Sequence, residues 1–588
     1  MKRYIPLILS LFLFTAGCTS PVSEKNVSTD QTQDATSVSE EFDHFLDELF
    51  RKEVAANTIN LHFTLSDPES YGIVDAPITL GDISEKSISE SHAEVENTLS
   101  ALKKFDYDAL NLKQQMTYDI LSGYLNRELS VADLSLYDEI LRPSTGLQAQ
   151  LPVLYEEYRF YDKDDVEDYL ELISLTDTYF SQVIDFEKRK ADAGLFMSDF
   201  ACDNLISQCE DFIANPDTHY LITTFNNKID ALDGLTDTER DDFKTRNATL
   251  VKEHVLSAYQ NLAAALTTLL GSGKNDKGLC YFADGTEYYE YLVAYNTGCS
   301  KKVKEIQDMI EQKRLSDLTE TAALVQENPS VWEDALAVSL DDMDSEKALS
   351  TLQGQMLKQF PAPPDTNYTV SYIDACMEDY LAPAFYITSP IDDYEDNAIF
   401  INASTDTSTM QYFTTLAHEG FPGHLYQTVM SYEADLSPVR CVLNFPGYIE
   451  GWATYVEMIS YQYAGLDEAV AEVLSLNQSS LLSLYASTDI GIHYDGWSFD
   501  DMLKFWTDYG ITDESVLREV YELIIEEPSH YLKYYVGYLE FLELKENARE
   551  TYGSNYSDIA FHQAVLDIGP APFDIVEKYL DNFYVVEE

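Results

Sequence analysis

Apolar residues recur at three- and four-residue spacing along most of this chain, and that period belongs to helices packed on one face. In "SEEFDHFLDELFRKEVAAN" it puts Phe42, Phe45, Leu46, Leu49 and Phe50 on one stripe. "DDVEDYLELISLTDTYFSQVIDFEKRKADAG" predicts one long amphipathic helix that stops near Gly194. "DDFKTRNATLVKEHVLSAYQNLAAALTTLLGSG" and "SKKVKEIQDMIEQKRLSDLTETAALVQ" predict two more. One run departs from the pattern: Ile399-Phe400-Ile401, between polar residues, reads as a strand. "QFPAPPDTNYTV" reads as a Pro-rich connection. The expected fold is therefore mainly α with minor β. A single large helical domain over residues 41–588 is expected, with two lobes around a deep cleft.

The first residues predict export. Lys2 and Arg3 precede an apolar stretch from Pro6 to Phe14 that is too short to span a bilayer. It ends in Thr15-Ala16-Gly17-Cys18, small residues before a Cys, as in a bacterial lipobox. Residues 1–17 are expected to be a lipoprotein signal peptide, with Cys18 lipidated and residues 18–40 a polar, flexible tether. The protein would then be anchored by lipid to the bacterial cell membrane, facing outward. The net charge of −66 excludes nucleic acid as a partner, since phosphates need a basic footprint.

Six further Cys, at 202, 209, 280, 299, 376 and 441, predict disulfides in an exported protein, with 202–209 and 280–299 as sequence neighbours. Seven residues of continuous helix would hold Cys202 and Cys209 roughly 10 Å apart, so that pair requires a bend. Several other motifs fail. "GSGK" lacks the rest of a P-loop, no G-x-S-x-G elbow occurs, and 103 acids make carboxylate pairs uninformative.

"TLAHEGFPGHLYQ" is the informative stretch. His418-Glu419 followed by His424 would arise by chance roughly 0.02 times per chain of this kind. Zinc ligands on one helix sit at i and i+4, whereas i to i+6 turns roughly 240° onto another face. Pro422 removes an N–H and Gly423 permits unusual backbone angles, so the spacing predicts a bulged, distorted helix that returns His424 to His418. A catalytic zinc needs a third protein ligand. Glu450 fits, followed seven residues later by Glu457 on the same face of an apolar helix, where it can orient a His from the second layer. Glu419 is the candidate general base. His493, Tyr534 and His562 are candidate donors to a developing oxyanion, and for each of these three a core role is the alternative.

These segments together resemble a bacterial family labelled domain of unknown function 885, whose hallmark is H-E-x-x-P-G-H. The matching residues are His418 to His424, then Glu450-Gly451-Trp452-Ala453 with Tyr455 and Glu457. Asp489 to His493, Gly496-Trp497-Ser498, Pro528 to Gly537, and Phe561-His562 through Gly569 follow in order. "TGLQAQLPVLYEEYRFYDKDDVEDYL" resembles the upstream half. The chain departs from the pattern at Leu425 and Tyr535. The resemblance implies a helical, cleft-containing fold like that of zinc oligopeptidases of the angiotensin-converting-enzyme and thimet type. The expected activity is that of a cell-surface zinc metallopeptidase acting on short peptides. His418, His424 and Glu450 would bind Zn²⁺, Glu419 would activate water, and His493 and Tyr534 would stabilise the oxyanion. The alternative is a non-catalytic lipoprotein that binds peptides or metal.

Overall fold

The structure is a computed structural model that describes residues 38–273, 276–340, 343–373 and 383–585. The expected signal peptide, Cys18 and most of the tether lie outside the described residues. The first apolar stripe folds as α1 (Val38–Val54), which buries Phe42, Leu46, Phe50 and Val54. Glu40 and Glu41 in its first turn and Arg51 and Lys52 in its last complement the helix dipole. α2 (Leu112–Ser130) opens on a capping box between Asn111 and Gln114.

The stretch 164–194 holds two helices where one was expected, Lys163–Ser174 and Thr176–Ala193. Thr176 explains the break. Its hydroxyl donates to the Ile173 carbonyl at 2.8 Å and meets the Tyr155 hydroxyl at 2.9 Å, so it competes with the helical ladder. The second helix does stop at Gly194, which takes a left-handed φ of 75°.

α3 (Gly285–Thr297) precedes a small sheet of β1 (Asn367–Tyr372), β2 (Ala384–Tyr386) and β3 (Asp396–Ile401), in the order β1-β3-β2. β3 carries the expected Ile399-Phe400-Ile401, parallel to β1 and antiparallel to β2. β1 was missed in the Pro-rich connection although Tyr368, Val370 and Tyr372 alternate with polar residues, because the prolines just before it mask so short a strand. Next come α4 (Met410–Glu419), α5 (His424–Glu433), α6 (Pro446–Ser460), α7 (Glu468–His493) and α8 (His530–Tyr552).

Two main apolar cores result. One gathers α1, α3 to α6 and α8; the other is built mostly from residues 59–266. Side chains from both line a cleft of about 540 Å³. Among the described residues, no helix is long and apolar enough to cross a membrane.

Among the described residues the expected disulfides are absent. Cys202 and Cys209 are free on one uninterrupted helix, Asp199–Phe212. Cys280 and Cys299 are also free, their thiols turned to the Ile492 carbonyl at 3.4 Å and to Glu540 Oε1 at 3.0 Å. Cys376 lies outside the described residues.

Candidate metal centre

α4 ends at Glu419 and α5 begins at His424, so the backbone breaks fully between two helices where a bulge in one helix was expected. The break follows from local chemistry. Pro422 has no N–H to continue a ladder. A Cβ on Gly423 would fall 1.8 Å from the His418 carbonyl oxygen, so only glycine lets the chain pass that close. The Trp452 indole N–H donates to the Pro422 carbonyl at 2.8 Å, and the Tyr426 N–H donates to Gly420 across the break at 3.2 Å. The two imidazoles end 4.8 Å apart, ring to ring, at 85°.

Glu450 arrives from α6. Its Oε2 lies 3.7 Å from His418 Nε2 and 3.5 Å from His424 Nε2. Ligand atoms about 2.0–2.1 Å from a tetrahedral zinc sit about 3.3–3.4 Å from one another, so the spacing suits such an ion. These three atoms are buried and have no hydrogen-bond partner, and the same holds for Glu419 Oε1. Burying four unmatched polar atoms together is costly unless something satisfies them.

His418, Glu419 and His424 also form a group whose ligand atoms lie within 4.8 Å of one another and could hold a metal ion. Glu450 Oε2 stands within 3.7 Å of both imidazole Nε2 atoms, while Glu419 Oε2 already accepts the Tyr386 N–H at 3.0 Å. Glu457 Oε2 stands 3.3 Å from His418 Nδ1, on the side of the ring away from Glu450.

The electrostatics follow. Burial alone would raise Glu450, but Lys533, 3.5 Å from its Oε1, and the two imidazoles hold it well below the carboxylate range. Burial would lower His418, but Glu450 and Glu457 outweigh it and raise the ring to about 10. Burial raises Glu419.

Tyr534 packs beside the cluster, its ring 6.4 Å from that of His418. Burial and the nearby Glu450 raise its pKa, so it is a donor. His493 does not serve as expected. It is fully buried, its Nδ1 accepts the Leu279 N–H at 3.1 Å, and its Nε2 meets the Ile524 carbonyl at 2.7 Å. Neither nitrogen is left to donate to an oxyanion. His562 is likewise engaged at both nitrogens, by the Gln359 carbonyl at 2.7 Å and the Tyr455 hydroxyl at 2.9 Å.

His530 lines the cleft and packs against Tyr534, with ring centroids 5.5 Å apart. Glu527 Oε2 holds its Nδ1 at 2.9 Å. Ser529 between them takes a left-handed φ of 64°, an unfavourable state for a residue with a Cβ. It is kept there by Asp489, which accepts its N–H at 2.9 Å, and by Asn296 at 2.6 Å. Sequence reasoning passed over His530 because a Glu three residues before a His means little among 103 acids. Lys533 was missed too, since nothing in the sequence marks which lysine meets a buried acid.

A protein from Colwellia psychrerythraea named a "putative lipoprotein" has a crystal structure that matches with a TM-score of 0.80 at 18% identity, over 93% of this chain and 99% of that one. A Shewanella oneidensis protein of unknown function, named in the same words, matches with a TM-score of 0.64 at 16% identity, over 93% and 100%. At these identities the likeness establishes the fold. No curated protein matches. The family model described as "Bacterial protein of unknown function (DUF885)" matches residues 69–580, and the chain belongs to that family.

Proposed function

We propose that this protein is a metal-dependent hydrolase that cleaves peptide bonds, with zinc held by His418 Nε2, His424 Nε2 and Glu450 Oε2. What supports this reading is the convergence of four buried, unpartnered atoms: those three and Glu419 Oε1. A non-catalytic metal binder has no need of the fourth. An ion in this site would supply Lewis acidity and bring the pKa of a water to about 7.

The chain's own residues do the rest. Glu419 Oε1 takes the proton from the attacking water and passes it to the leaving amine; burial, which raises this carboxyl, suits both halves of that exchange. Tyr386 fixes the carboxylate through its other oxygen. The Tyr534 hydroxyl and His530 Nε2 donate hydrogen bonds to the carbonyl oxygen as it becomes negative. Glu527, by holding Nδ1, fixes which nitrogen of His530 faces the substrate. Glu457 does the same for His418. A long cleft beside the cluster suits an extended chain better than a small metabolite. The segment before residue 41 would hold the domain to the membrane through lipid on Cys18, and replacing Cys18 by Ser should release it to the soluble fraction.

The test is hydrolysis of a mixed synthetic peptide library by the zinc-loaded protein, followed by mass spectrometry. Wild type should cleave, a chelator should stop it, and Glu419→Gln should abolish cleavage while retaining the metal. If the Glu419→Gln protein cleaves at the wild-type rate, the assignment is wrong.

A further inference from the structure

The cleft passes beside the candidate metal centre: Lys533, 3.5 Å from Glu450, and His530 both line it. One of its walls can be followed residue by residue. Asn296 Nδ2 donates to Ser529 Oγ at 2.6 Å, which ties the end of α3 to the turn between Glu527 and His530. From there Tyr295, Tyr291 and Tyr288 line the cleft at three- and four-residue spacing along α3, with successive rings 5.9 and 5.8 Å apart. The Tyr291 hydroxyl donates to Glu128 Oε1 at 3.2 Å, and α2 adds Glu128 and Tyr124 to the lining.

Two observations give this wall a sign. Among the cleft-lining residues, Asp and Glu outnumber Lys and Arg by seven to two. Both cations already face a carboxylate: Lys533 meets Glu450 at 3.5 Å and Arg142 meets Asp138 at 3.7 Å. The second observation concerns a single atom. Glu527 is only 4% exposed, and its Oε2 holds His530, but its Oε1 has no hydrogen-bond partner. Burial would raise Glu527, yet His530, Arg142 and Lys533 outweigh it and hold the carboxyl at about 2, so the open oxygen carries charge. A buried ionised oxygen with spare acceptor capacity asks for a donor. Farther along, burial raises Glu53 and Glu128, the mark of carboxylates short of counter-charge.

We propose that this cleft selects peptides that carry an organic cation, with the ammonium or guanidinium group received by Glu527 Oε1 and by the tyrosine wall backed by Glu128. This deepens the peptidase reading and rests on it for the scissile bond. Tyrosine ring faces attract a desolvated cation, and a carboxylate behind them adds charge, so acids and tyrosines together discriminate where either alone would do so weakly. The net charge of −66 draws such peptides toward the molecule.

The experiment compares hexapeptides that are identical except for one residue, Lys, norleucine or Glu, each with a free or an acetylated N-terminus. Hydrolysis by the zinc-loaded protein gives kcat/KM, and calorimetry on zinc-loaded Glu419→Gln gives affinity without turnover. The Lys peptide should exceed norleucine about tenfold in both, and Glu should rank last, since one charge–carboxylate contact of this kind is worth about 1.4 kcal/mol. Glu128→Gln should shrink the Lys-to-norleucine ratio several-fold, and Glu53→Gln serves as a second variant should the first fail to fold. A gain on freeing the N-terminus, with none from Lys, would identify the terminal ammonium as the cation. Equal kcat/KM and equal affinity for Lys, norleucine and Glu would overturn the proposal, while leaving the peptidase reading intact if all are cleaved. Selective binding with no hydrolysis of any peptide would uphold the cation site and overturn the peptidase reading.

Discussion

Gly451 and Gly537 meet backbone to backbone: a Cβ on Gly451 would fall 2.5 Å from the Cα of Gly537. A Cβ on Gly537 would in turn fall 2.1 Å from the Gly447 carbonyl oxygen. This contact locks α6 to α8, so Glu450, one residue before Gly451, is fixed against Lys533 and Tyr534, which precede Gly537 by one turn.

Gly537→Ala tests that lock by its sign. In the middle of an ordinary helix Gly→Ala stabilises by about 1 kcal/mol. Here overpacking should win and destabilise by about 1–3 kcal/mol, with weaker metal binding as the helices part. Urea unfolding measures the first effect and metal titration the second; a gain in stability would contradict the account.

Glu457→Gln should leave the fold intact and lower zinc affinity by about 10- to 100-fold, because the outer hydrogen bond to His418 Nδ1 is weakened. Competition with a chromophoric chelator reads this directly. Unchanged affinity would mean that the 3.3 Å contact does not orient the ring.

His530→Gln and His493→Gln should behave differently although both sit in the same quarter of the molecule. The first should lower kcat by about 10²-fold or more, as loss of one oxyanion donor does, beyond the stability it loses with the Glu527 contact. The second should chiefly cost stability, since it breaks contacts to Leu279 and Ile524.

His493 also sets a pH dependence. Burial lowers its pKa to about 4, against which the Ile524 hydrogen bond pulls only partly. Between about 4 and 6.5 the unfolded chain takes up a proton that the native one refuses. Its contribution is therefore complete above pH 6.5 and is lost as the pH falls toward 4. His493→Gln should flatten the decline of stability over that window by about one proton, which is about 1.4 kcal/mol per pH unit. Urea midpoints at pH 7, 6 and 5 decide it, and an unchanged slope would contradict the burial of a neutral ring.

The helices were legible because their apolar period is strong and local, as on α1, and Ile399-Phe400-Ile401 gave the central strand for the same reason. The break after Glu419 was legible in kind from Pro422-Gly423, but its extent was not. Two separate helices, rather than a bulge, depend on Trp452 reaching back from thirty residues away. The same distinction explains the histidines. His418 and His424 share a local motif, whereas whether His493 or His530 is free to donate is decided by main-chain carbonyls and carboxylates from elsewhere in the fold. The cysteine pairing failed because sequence proximity says nothing about which way two thiols point.

The central claim is met most directly by crystals of the zinc-loaded protein measured at the zinc absorption edge. The account predicts one anomalous peak, bounded by His418 Nε2, His424 Nε2 and Glu450 Oε2, with Glu419 Oε1 facing but not ligating it. A peak elsewhere, or none at full zinc loading, would contradict it.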